Sequence, residues 1–91
     1  MFSHREWQKE ELIMDMEDIK KLQELVDKAN KLDSQGKYEK AVAAYDNALA
    51  IVPDDADVLY DKGETLMKLG RIPEAMKCFD TATQMYVSGL G

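Results

Sequence analysis

The chain has 91 residues, of which 45% are hydrophobic and 33% charged, with a net charge of −6. A chain this short forms one domain with a modest core, and its acidic balance, with a pI near 4.7, disfavours contact with phosphate backbones. No stretch approaches the roughly 18 uninterrupted apolar residues of a membrane span, and the opening Met1-Phe2-Ser3-His4-Arg5-Glu6 lacks the apolar core of a secretory signal, so a cytoplasmic location without membrane contact is expected.

Residues 1–21 read as an amphipathic helical extension. Ser3-His4-Arg5-Glu6 has the capping-box form, and Trp7, Leu12, Ile13, Met14, Met16 and Ile19 follow with charges between them. This extension is either a separate helix or continuous with the next one. Leu22, Leu25, Val26, Ala29 and Leu32 then fall at helical spacing, and Gly36 is placed to end the helix in a left-handed conformation. A second helix carries Ala41, Val42, Tyr45, Ala48, Leu49 and Val52 up to Pro53. Asp54 or Asp55 can cap a third helix, which carries Leu59, Gly63, Leu66 and Met67 and stops at Gly70. Pro73 suits the first turn of a fourth helix, where its missing N–H costs nothing. Ala75, Met76, Phe79, Ala82 and Met85 are expected to form that helix's buried stripe, and residues 88–91 a frayed end.

Residues 22–55 align with residues 56–89 at a constant offset of 34. Leu25, Asp27, Lys28, Leu32, Gly36, Ala41, Asp46 and Ala48 recur as Leu59, Asp61, Lys62, Leu66, Gly70, Ala75, Asp80 and Ala82. Roughly two such identities would arise from average residue usage. Tyr45 and Phe79 share a register, and the small residues around them allow close helix packing with an aromatic ring filling the gap. Moved back by another 34 residues, the pattern falls on Trp7, Glu11 and Met14 and does not continue, so two units are expected and no third.

This pattern resembles the tetratricopeptide repeat (TPR) family. The second unit carries Leu59-x2-Lys62-Gly63-x2-Leu66, then Ala75-x3-Phe79 and Ala82. The first carries Leu25-x2-Lys28-Ala29-x2-Leu32, then Ala41-x3-Tyr45, Ala48 and Pro53. Leucine replaces the family's tryptophan and tyrosine, lysine its first-helix leucine, and Val87 its closing proline. The resemblance implies an all-α, right-handed superhelix of two helix-turn-helix units plus the N-terminal helix. It also implies a protein-interaction scaffold whose first helices line a concave, peptide-binding groove. Carried over by position, that groove comprises Gln23, Val26, Asp27 and Asn30 from the first unit, and Asp57, Tyr60, Asp61, Glu64 and Met67 from the second; Asp33 and Lys68 lie beside them. A subfamily that grips acidic chaperone tails needs Lys at Val26, Asn at Asn30 and Asn at Asp61. Only Asn30 fits, and the acids would repel a carboxylate. A basic or basic-apolar partner segment is therefore expected, with Val26, Tyr60 and Met67 offering apolar or cation–π contact.

Catalytic and cofactor chemistry find little support. Cys78 is the only cysteine, distant in sequence from the only histidine, His4, so neither a disulfide nor a zinc site is available and a nucleophile would lack a base. Counting from Asp54 or Asp55 gives no calcium-loop glycine or glutamate, and no phosphate-binding glycine loop exists. Neither an enzyme nor a cofactor is expected. Two units fall short of the roughly three usual for a stable stack. Met76, Met85, Tyr86 and Val87 of the last helix are thus candidates for exposure. The N-terminal helix folded over them, a homodimer, or membership of a longer repeat array would cover them.

Overall fold

The computed structural model describes residues 16–90 and contains, among them, four helices and no strand. The fold is all-α. The helices are α1 (Met16–Ser34), α2 (Tyr38–Ile51), α3 (Ala56–Lys68) and α4 (Ile72–Leu90), and each packs on the next. The capping box at Ser3 and the apolar residues Trp7, Leu12, Ile13 and Met14 lie outside the described residues. From Met16 onward the N-terminal extension is continuous with the first helix, and Met16 and Ile19 are exposed.

Two turns of the same construction fold the chain into hairpins. Gly36 has φ +80° and Gly70 φ +79°, the left-handed region that side chains with a Cβ resist. At the first turn the N–H of Lys37 donates to the Leu32 carbonyl (2.8 Å) and that of Gly36 to Asp33 (3.0 Å). At the second, Arg71 donates to Leu66 (2.9 Å) and Gly70 to Met67 (3.0 Å). This is the Schellman arrangement, which satisfies the last carbonyls of a helix while reversing the chain. A Cβ at either glycine would meet nothing within 4 Å, so backbone geometry alone demands glycine there. The link between the hairpins differs: α2 ends before Pro53, and Asp55 caps α3 by accepting the Val58 N–H (3.2 Å).

The core follows the small–large alternation. Ala29, Ala41, Ala48, Ala75 and Ala82 are fully buried, and Tyr45 fills the space beside the first three. Val58 of α3 joins that cluster, while Leu66 packs with Val42 and Ala75 against Phe79. Gly63 stands where the first hairpin has Ala29. A Cβ there would lie 2.7 Å from Phe79 Cε1, so α3 and α4 approach more closely than alanine permits.

Two expectations for α4 need correction. Met76 is not in the buried stripe but 58% exposed, because among the described residues no helix packs over the side of α4 it occupies. Residues 88–90 are not frayed but continue the helix to Leu90.

Gly63→Ala should lower the urea midpoint. Overpacking costs about 1–3 kcal/mol, against a helix-propensity gain of about 1 kcal/mol. Adding Phe79→Leu should relieve the clash, so the double variant loses less than the two single losses combined; strict additivity would show that the ring does not limit the approach.

Candidate functional site

The residues expected to line the groove come from α1 and α3. These helices meet near their C-terminal ends, where the Thr65 hydroxyl donates to Asp33 Oδ1 (2.9 Å) and Lys68 Nζ pairs with Asp33 Oδ2 (2.7 Å). Lys68 also lies 5.6 Å above the Tyr38 ring. Asp33 therefore belongs to the joint between the hairpins, a role that no local pattern signals because its partners are 32 and 35 residues away.

Several of the expected residues already have partners within the fold. Gln23 donates to Asp27 one turn along α1 (3.2 Å). Asn30 Oδ1 accepts the Tyr45 hydroxyl (2.6 Å), which satisfies the phenol of a nearly fully buried side chain. Asp57 accepts the hydroxyl of Tyr86, from the far end of α4. Tyr60 is exposed and tilts against Phe79 at 5.2 Å between ring centroids, and Met67 is likewise exposed. Val26 is half-buried against the first core cluster. Asp61 and Glu64 have no hydrogen bond or ion pair from their side chains among the described residues.

Negative charge concentrates at Asp61. Burial pushes its carboxyl above the ordinary aspartate value, and Glu64, Asp57, Asp55 and Asp33 raise it further. The same field reaches the floor of the site. Burial, then Asp61 and Asp33, pushes the Tyr45 hydroxyl up to about 12. The contact with Asp57 raises Tyr86 to about 12 as well. Lys68 is stabilised as a cation by its hydrogen bond to Asp33. The face thus offers clustered carboxyl groups and exposed apolar side chains.

Cys78 lines a cleft of about 360 Å³ with Leu59, Lys62, Glu74 and Lys77. Burial pushes its thiol up, which works against a nucleophilic thiolate. Among the described residues no group of acids, histidines and cysteines could hold a metal ion, and no helix is long and apolar enough to cross a membrane.

Two helical hairpins, closed by matching glycine turns and joined side by side, define a helical-repeat scaffold. A TPR repeat profile matches residues 29–70 and a tetratricopeptide repeat profile matches residues 56–86, so the two together span residues 29–86. The chain belongs to the tetratricopeptide-repeat family, and it carries tandem repeats. Searches of curated proteins and of solved structures return no match. Repeats of this family serve in general as protein-interaction scaffolds.

The charge cluster has a testable cost. Because the folded-state pKa of Asp61 is raised, the folded protein holds this proton more tightly than the unfolded chain. The associated stability is fully present below the ordinary aspartate pKa and is lost as pH rises through the raised value. Asp61→Asn should therefore raise Tm modestly at pH 7, the effect being reduced by solvent screening at this part-exposed position. The gain should vanish in acid; a gain independent of pH would assign it to something other than charge.

Proposed function

We propose that the chain is an interaction module in which residues 22–55 and 56–89 form the repeating units, and that the α1–α3 face binds a basic or basic-apolar segment of a partner protein. The observation that carries this reading is the cluster around Asp61. Burial, and then four neighbouring carboxylates, raise the pKa of one partly buried carboxyl. A lysine or arginine seated at Asp61 and Glu64 would relieve that repulsion, and complex formation would take up energy stored in the free face. Val26, Tyr60 and Met67 supply apolar surface for the stem of such a side chain, with the Tyr60 ring open to a cation. An acidic tail finds the opposite field, and the one exposed cation of the face, Lys68, is occupied by Asp33.

The partner segment's recognition would be strongly electrostatic. A lysine- and leucine-containing peptide should shift the amide signals of Asn30, Asp61 and Glu64. Asp61→Lys should weaken its binding tenfold or more, and raising the salt from low to physiological concentration should weaken the wild-type complex but not the variant's residual binding. An affinity indifferent to Asp61→Lys would sink the acidic-face reading.

A further inference from the structure

α1 and α3 meet at two places of different chemistry. Near the start of α3, Val58 enters the apolar cluster that holds Ala29 of α1 with Tyr45 and Ala48 of α2. Near its end the contact is polar. Asp33, in the last turn of α1, is gripped through both carboxylate oxygens by residues one turn apart on α3. The Thr65 hydroxyl holds Oδ1 (2.9 Å) and the Lys68 ammonium holds Oδ2 (2.7 Å). Thr65 is buried, so its half of the grip is fixed in the interior. Lys68 is exposed, and its ammonium also stands 5.6 Å over the ring of Tyr38, the first residue of α2. One side chain of α3 therefore reaches both sides of the Gly36 turn.

The two places constrain the hairpins differently. Apolar contacts are non-directional, so the Val58 cluster tolerates a small rotation of one hairpin against the other. A charge-assisted hydrogen bond onto a carboxylate that is already held fixes both distance and direction. The ion pair between Lys62 and Asp46 ties α3 to α2, whereas the grip on Asp33 reaches α1. Nor does the grip follow from the repeat. Met67 and Ile72 stand 34 residues after Asp33 and Tyr38, and Lys31 and Ser34 stand 34 residues before Thr65 and Lys68. None of these counterparts could rebuild the contact, so it is particular to this joint.

We propose that Lys68 is a clasp that sets the angle between the two hairpins. It holds the C-terminal ends of α1 and α3 together, and the cluster at Val58 is the pivot at the other end. With the clasp closed, Asp27 and Asn30 on α1 keep a fixed spacing from Asp61 and Glu64 on α3. With it open, α1 and α3 splay at their C-terminal ends. Because Lys68 is exposed, salt screens its attraction to Asp33 and loosens the clasp. A lysine that served only the dipole of the α3 C-terminus, or an ion pair formed loosely at the surface, would leave the angle unchanged.

Residual dipolar couplings of the backbone amides report the orientation of one hairpin against the other in the 91-residue chain. Lys68→Met should turn α3 and α4 relative to α1 and α2 by about 10° or more, a change within the scatter of helix packings. Couplings within each hairpin and the circular dichroism should stay as in the wild type. Lys68→Arg, which retains a cationic donor for Asp33, should keep the wild-type orientation. Asp33→Asn leaves Thr65 an acceptor but removes the charge, and should turn the hairpins as Lys68→Met does. The double variant should turn them no further. At about 1 M salt, where the Debye length is roughly 3 Å, the wild type should approach the orientation of Lys68→Met, which itself should not respond. An unchanged angle in Lys68→Met would overturn the proposal, as would turns that add in the double variant. A wild-type angle indifferent to salt would overturn it too.

Discussion

The fold depends on helices that pass one another closely enough for an aromatic ring to span the remaining gap. Ala29, Ala41, Ala48, Ala75 and Ala82 are fully buried, and Gly63 gives way entirely to the Phe79 ring. Short side chains let dispersion contacts accumulate along the whole length of each helix pair, which matters in a chain with few large apolar residues to bury. The Tyr45 ring does the same work in the first hairpin with one difference. Its hydroxyl needs an acceptor, and Asn30 provides it. Packing and polar satisfaction thereby converge on one side chain of α2.

That convergence ties the interior to the surface. Tyr45 lies under the same face on which Asp61, Glu64 and Asp33 place their charges, and its raised pKa records their field. The acids are not a uniform coat. Asp33 is neutralised by Lys68, Asp57 accepts from Tyr86, and the field is focused where Asp61 and Glu64 remain. A partner reading this surface would meet a localised charge beside exposed aromatic and thioether groups, a combination suited to selectivity as well as attraction.

The elements most legible in the sequence were those fixed by local rules. Gly36 and Gly70 could be read as helix ends because positive φ excludes most other residues, and the alanine positions could be read because they recur at helical spacing in both units. Asp54 and Asp55 were equivalent as caps until the backbone placed Asp55 at the start of α3. The candidate face was legible only in part. The residues assigned to it fall on α1 and α3, and Asn30 and Asp33 also serve the fold, through partners 15 to 35 residues away that periodicity cannot disclose. Met76 was misread for a related reason. A helical wheel assigns an apolar residue to a buried stripe, but burial depends on a neighbouring helix, and none of the described helices lies over Met76.

The joint between the hairpins has a consequence for how the molecule comes apart. α2 meets α3 through Val58, Leu66 and Val42, reinforced by Lys62–Asp46 and by the grip of Thr65 and Lys68 on Asp33. Each hairpin alone buries one side of its helices, so any coupling of the two units in unfolding has to pass through the contacts of this joint. In a longer array that coupling would be divided among several joints. Between these two units it would rest on a handful of side chains.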